Sequence, residues 1–317
     1  MRILFLSPDQ GTRWNPGHQH FRNEIGRQVE TVYYGPGYEL FKEFERENHI
    51  PTVLKKLADE RGLRPDIIMT YGYRYTAPFT GLGLILNIPK VHFICDFTPP
   101  AKGWPGTIGA YVPMLKNHGY NMMFGLSYQV LEWFGKNWSE MKISYLPFGV
   151  DEKIFHPMEV RKSIDVYVGW SKNDAIYPKR QIIENELRQS LTGTSIKVLI
   201  KKTFQEAFVR TINRSVACLN TSNIFNTMNM KHFEVMACSS LLITDHTREF
   251  SDLGFIPDLH YIQFKTEQDL IEKILYAGNH PGWAESIADE GYEFTLSQHT
   301  NKQRVEAMLE VINESLF

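Results

Sequence analysis

Short apolar runs, each the length of a buried strand, recur along this chain, and segments with helical spacing lie between them. In the first half, residues 2–6 (Arg-Ile-Leu-Phe-Leu), 66–70, 90–95 and 143–147 read as strands. The stretch 38–61 between the first two reads as helical, with a break at Pro51. The second half repeats the pattern. It has strands at 164–168, 196–200, 216–219 and 240–244, and a weaker one near 260–264. Helices are expected at 179–190, 204–214, 229–238, 267–277, 282–291 and 300–315. Strands that are apolar on both sides need cover on both faces, which a parallel sheet between helix layers provides. The expected class is therefore α/β, with two doubly wound, Rossmann-like domains.

A length of 317 residues suits two domains at roughly 100–200 residues each. Proline and glycine in Leu146-Pro147-Phe148-Gly149-Val150-Asp151 and Phe155-His156-Pro157 punctuate the join. The expected division is 1–150 and 151–299, with the 300–317 helix packing back on the first domain. Its apolar stripe at 305, 308, 309 and 312 needs a surface to cover it. Net charge is −2, so no basic balance advertises nucleic acid. Cys95, Cys218 and Cys238 are too few and scattered for a disulfide framework, and no Cys/His spacing suggests a metal site. No apolar stretch approaches the ~20 residues of a membrane span. A cytoplasmic protein with no metal and no membrane span is the expectation.

Ligands of open α/β sheets bind beyond the carboxyl ends of the strands, so the loops there are the informative ones. The first, residues 7–20, is long and carries Gly11, Gly17, His18 and His20. Glycine lets the backbone approach a ligand, and a following helix start favours an anion. A GxGxxG fingerprint is missing, which disfavours a nicotinamide cofactor. Tyr34-Gly35-Pro36-Gly37-Tyr38 reads as a turn closing a strand, and Thr70 to Tyr75 as a polar aromatic rim. Asp96, just past the strand ending at Cys95, could orient an acceptor hydroxyl or take its proton, or simply bond to backbone. His92 lies within its strand and reads as structural.

Residues 225–245 are sharper. Phe233, Met236 and Ala237 form an apolar stripe, while Lys231 and Glu234 stand three apart on one helix face. A lysine there can meet a phosphate while the glutamate accepts from a ribose diol, with the helix start adding to the attraction for a pyrophosphate. An ordinary surface pair has the same spacing.

The stretch Phe233-Glu234-Val235-Met236-Ala237-Cys238-Ser239-Ser240-Leu241-Leu242-Ile243 resembles the F-E-A-M-A-C-G-x-P-V-I donor signature of GT-B glycosyltransferases. Leu146 to Pro157 resembles their L-P-x-G-V-D-x-x-x-F-x-P segment. Asn213 to Asn220 and Tyr177-Pro178-Lys179-Arg180 resemble segments of the spore-maturation (CgeB-like) members, and His299-Thr300 with Arg304 also fits. The likeness implies two domains facing across a cleft and transfer of a sugar from a nucleotide-sugar, a UDP-sugar above all, to an acceptor hydroxyl. It implies no metal or separate cofactor, and retention at the anomeric carbon. By similarity Glu234 would hold the ribose, with Lys231 and Arg180 at the pyrophosphate. Gly169 and Trp170 would form a phosphate-facing loop, with Asn220 and Thr221 at the base or phosphates. Asp96 and His18 would serve the acceptor side, and Gly11 and Gly17 the substrate-facing backbone.

Three positions depart from the pattern. Asn226 stands eight before Glu234, where retaining relatives carry a glutamate, and its uncharged amide can still hydrogen-bond a sugar hydroxyl of the substrate. Cys95-Asp96 replaces their His-Asp, and Ser239 replaces their glycine. The acceptor is left open among glycan, protein and nucleic acid. An aromatic and basic set (Arg13, Trp14, Arg22, Tyr73, Arg74, Tyr75, Lys102, Trp104) keeps modified DNA bases in view. Other readings are a nucleotide-sugar epimerase or hydrolase and a non-catalytic nucleotide-sugar-binding protein.

Overall fold

The computed structural model describes residues 1–11, 17–95, 97–98, 100, 106–171 and 173–317. The chain divides into two compact units, Met1–Pro147 with Arg304–Phe317, and Phe148–Gln303.

The first unit holds six parallel strands: β1 (Arg2–Leu6), β2 (Glu30–Tyr34), β3 (Ile67–Tyr71), β4 (Lys90–Ile94), β5 (Met122–Gly125) and β6 (Ile143–Tyr145). Their order is β2-β1-β3-β4-β5-β6. Leu6 of β1 pairs with Tyr34 on one side and Thr70 on the other. The alternation of side chains divides the strand residues between two faces. Ile3, Phe5, Met69, Val91, Phe93 and Phe124 pack on one, while Leu4, Leu6, Tyr34 and Ile68 pack on the other. The helix Asn301–Leu316 lays Val305, Met308 and Ile312, all fully buried, on the first of these faces.

The second unit holds five parallel strands: β7 (Ile164–Val168), β8 (Val198–Ile200), β9 (Ser215–Leu219), β10 (Leu241–Thr244) and β11 (Ile262–Gln263). Their order, β11-β10-β9-β7-β8, has the same winding as the first sheet. One face packs Val166, Val168, Ala217, Leu219 and Ile243, and the other packs Tyr167, Cys218 and Leu242. Val150 and Phe155 belong to the second cluster, so 148–157 is packed chain of the second unit rather than a free hinge segment.

Three local readings change. Pro51 starts a helix instead of breaking one. It lies in the first turn of Ile50–Arg61, where its missing N–H has no intrahelical partner to lose. That helix ends on Gly62, whose φ of 64° favours glycine. A separate short helix covers Glu39–Glu43. Strand β5, with only Met122-Met123-Phe124-Gly125 to mark it, lacks the β-branched run that signals a strand and was not expected. The helix expected over 282–291 runs Pro281–Gln298.

Cys95, Cys218 and Cys238 are buried and unbridged. Among the described residues no helix is long and apolar enough to cross a membrane, and no group of His, Cys, Asp and Glu could hold a metal ion.

Because Ile312 is fully buried against the first sheet, Ile312→Ala is expected to cost about 2–5 kcal/mol. Urea denaturation followed by far-UV circular dichroism checks this. A midpoint equal to that of the wild type would show that the helix contributes nothing to the first unit.

Candidate functional site

In both sheets the first strand lies between the second and the third, so strand order reverses between β1 and β3 and again between β7 and β9. The carboxyl ends of those strands are where such a sheet receives a ligand.

In the second unit, β7 ends at Val168 and Gly169 follows. A Cβ built on Gly169 would stand 2.1 Å from the Tyr167 hydroxyl, so a side chain there would require the buried Tyr167 ring to move. The Gly169 carbonyl accepts from the Lys231 ammonium at 2.5 Å. Arg180, on the helix Lys179–Ser190, reaches the same strand ends. Its Nε donates to the Thr221 hydroxyl at 3.1 Å and its Nη1 to the Ser171 carbonyl at 3.0 Å. The guanidinium lies 3.4 Å from the centre of the Tyr177 ring, a cation–π contact worth about 0.5–2 kcal/mol.

Past β9 the polar run Asn220-Thr221-Ser222 is buried. Asn220 Nδ2 donates to Asn229 Oδ1 at 3.0 Å, while its own Oδ1 has no partner. Asn229 caps the seven-residue helix Met230–Met236 with a capping box. Its Oδ1 accepts the Lys231 N–H, and its N–H donates to His232 Nδ1 at 3.0 Å. The Lys231 and His232 N–H groups of that helix start are thus engaged within the chain, which leaves the side-chain cations as the main attraction for an anion there.

Burial dominates the electrostatics. It lowers the Lys231 pKa, and the nearby Arg180 and Lys202 lower it further, while Glu234 opposes them. It also raises the Glu234 pKa, against the pull of Lys231. Arg180 falls to about 10 by desolvation, with Tyr177 and Asp245 opposing. The Asp245 carboxylate takes the opposite course. Desolvation would raise its pKa, but hydrogen bonds from Ser222 N–H, Lys179 and the Ser222 hydroxyl lower it below the ordinary value. Glu234 is 7% exposed, and no described residue hydrogen-bonds its carboxylate. The second unit therefore holds Lys231 within range of two further cations, Arg180 and Lys202, and one buried carboxylate, Glu234, with open acceptor sites. Such a set can neutralise a diphosphate and accept from a vicinal diol.

Other expected residues fall elsewhere. Trp170 is 4% exposed and its indole N–H donates to Glu184 at 2.8 Å, so its ring belongs to the core rather than to a ligand-facing loop. Asn226 is an exposed turn residue with φ of 54°, a conformation asparagine tolerates. Ser239 sits at φ 46°, which explains the family's glycine there. Its hydroxyl donates to Asp289 at 2.6 Å, anchoring the strained turn. In the first unit, Gly11 is an exposed turn residue bonded to Asp9, and Gly17 opens the helix Gly17–Gln28. His18 Nδ1 shares a hydrogen bond with the Tyr71 hydroxyl, and burial with the charge of Arg22 takes its pKa down to about 4. A neutral imidazole can accept a proton. Asp96, Arg13, Trp14, Lys102 and Trp104 lie outside the described residues.

Sequence reasoning missed Lys202, Asn229 and Asp245. Lys201-Lys202 just beyond β8 was the available signal for the first. The second was legible as an N-cap before an apolar stripe. Asp245 joins the group only through its contacts with Ser222 and Lys179.

Residues 179–310 match a family model described as Glycosyl transferase-like. No curated protein matches the sequence. Sucrose-phosphate synthase from Thermosynechococcus elongatus superposes with a TM-score of 0.67 at 12% identity, over 99% of this chain and 98% of that one. HepE from Anabaena, in complex with UDP and glucose, gives 0.66 at 13%, over 99% and 100%. An alpha-glucosyltransferase in complex with UDP-glucose and DNA containing an abasic site gives 0.62 at 11%, over 98% of each chain.

Asn229 anchors Asn220 and caps the Lys231 helix. Asn229→Ala is therefore expected to cost about 1 kcal/mol and lower the thermal midpoint by a few degrees. Calorimetry checks this, and an unchanged midpoint would show the cap to be idle. Taken together, residues 179–310 match the Glycosyl transferase-like family model, and the chain has the GT-B fold of the solved glycosyltransferases it superposes on.

Proposed function

We propose that the chain transfers a sugar from a nucleotide-sugar to an acceptor hydroxyl, with the donor on the second unit. The observation that carries this is Glu234, a buried carboxylate with no hydrogen-bond donor among the described residues, three residues from a half-buried lysine that Arg180 also faces. A ribose diol supplies the donors that Glu234 lacks. A diphosphate supplies the negative charge that relieves Lys231, Arg180 and Lys202. UDP is the nucleotide we infer, because HepE and the alpha-glucosyltransferase are both solved with UDP-glucose.

The chemistry follows from the charges. As the glycosidic bond to the diphosphate breaks, negative charge grows on the leaving phosphate and positive character on the anomeric carbon. Fixed cations in a water-poor site stabilise the leaving group without reorganising. Lys231 and Arg180 then do the work a divalent metal does in other sites, and transfer is proposed to be metal-independent. Retention is proposed from the family likeness alone. His18, kept neutral by burial and by the charge of Arg22, is proposed to accept the acceptor's proton.

The pH dependence has a definite sign. Lys231 attracts phosphate only when protonated, so its lowered pKa makes donor affinity fall at a pH below the ordinary lysine value of 10.5. Glu234 accepts from a diol best when ionised, so its raised pKa makes affinity fall already above the ordinary 4.5. UDP affinity is expected to peak between two limbs drawn inward from those values.

Calorimetric titration with UDP in EDTA tests the proposal. A ligand at 100 times its Kd adds about 2.7 kcal/mol of stability, which a thermal scan reads as several degrees. Glu234→Ala and Lys231→Ala are each expected to weaken UDP at least tenfold, and Lys231→Arg to remove the alkaline limb. Binding that is unaffected in both alanine variants would overturn the site. The anomeric proton coupling of the product, read by NMR, separates retention from inversion.

A further inference from the structure

The first unit also carries a cation at the carboxyl end of its first strand, and this one has no ion-pair partner among the described residues. Arg22, on the helix Gly17–Gln28, is fully buried. Its Nη2 donates to Gln10 Oε1 at 2.9 Å, to Gln19 Oε1 at 2.7 Å and to the Pro8 carbonyl at 3.5 Å. All three acceptors are neutral. Its Nε and Nη1 have no partner, and among the described residues no carboxylate forms an ion pair with it. One face of the guanidinium is taken by the Tyr71 ring, 5.3 Å from Cζ to the ring centre. Ser7, the first residue beyond β1, is also fully buried, and its hydroxyl has no partner either.

A buried guanidinium with two empty donors is costly unless something charged answers it. The tertiary structure holds it there nonetheless, at the reversal of strand order, beside the start of a twelve-residue helix whose dipole favours negative charge. We infer that this is an oxyanion site, and that the acceptor carries a phosphoryl or carboxylate group which Arg22 and Ser7 receive. The acceptor assignment rests on the glycosyltransferase reading; the oxyanion site does not.

The geometry states how the group would be held. Nη2 belongs to both edges of the guanidinium, paired with Nε on one and with Nη1 on the other. An anion oxygen that takes the place of a glutamine amide on Nη2 completes a two-point fork with the free nitrogen beside it. Charge-assisted bonds of this kind are about twice as strong as the neutral ones they replace. The buried Ser7 hydroxyl is a further donor beyond the same strand end.

The test uses the whole chain with UDP saturating the donor site. Inorganic phosphate and acetate are titrated separately against wild type and Arg22→Met, with affinity read by calorimetry. At least one anion is expected to bind the wild type and to weaken tenfold or more in the variant, while UDP affinity stays within twofold. Preference for phosphate assigns a phosphorylated acceptor, and preference for acetate a carboxylated one. Equal anion binding by wild type and variant overturns the site. Anion binding that vanishes when UDP is added overturns the acceptor assignment, because the anion would then be the donor's own phosphate. If UDP does not bind at all, the donor proposal fails, and the same titrations without UDP still decide this one. Should Arg22→Met not fold, Ser7→Ala carries the test: a several-fold loss of anion affinity supports the site, and unchanged affinity overturns it.

Discussion

Burying a parallel sheet on both faces is the constraint from which the rest follows. Strands such as Ile67–Tyr71 and Lys90–Ile94 are buried at every position, so a ligand cannot reach the side chains along their length. Functional groups are pushed to the strand ends and into the loops beyond them. Where strand order reverses, the helices that follow neighbouring strands leave in opposite directions and leave the ends open. In the second unit the residues of interest lie there: Gly169 after β7, Thr221 after β9, and Arg180 and Lys231 on the helices that follow those strands.

Charges at those ends are held in an environment that opposes them. Arg180 and Lys202 each repel Lys231, and burial weakens the charged states of Lys231 and Arg180. Glu234 is pushed the other way, toward its neutral form. Such a group is not explained by the stability of the unliganded fold, because uncompensated buried charge opposes folding. The diphosphate and ribose diol of the proposed donor would answer these deficits. Asp245 shows the contrast. It meets Ser222 and Lys179 within the chain, so its charge is satisfied and its role is to hold the loop.

Much of this was legible from residue pattern. The parallel α/β class follows from the apolar runs and their spacing, and Lys231 and Glu234 follow from helical geometry. The departures have physical reasons. Pro51 reads as a helix breaker until its place in the first turn is known. Trp170 reads as a ligand-facing aromatic until Glu184 is seen to hold its indole N–H in the core. The helix start before Lys231 reads as open to an anion until the Asn229 side chain is seen to take the Lys231 N–H.

The sequence by itself determined the class of fold, the placing of glycine and polar residues beyond the strands, and the helix face shared by Lys231 and Glu234. All of these depend on neighbours within a few positions, where period and backbone preference are local properties. Only the tertiary structure decided which of those groups are satisfied. That Asp245 is paired, that Arg22 is not, that Glu234 lacks a donor and that Lys202 joins Arg180 and Lys231 are results of contacts between distant segments. Burial and charge compensation are sums over everything nearby in space, and no stretch of sequence carries that sum.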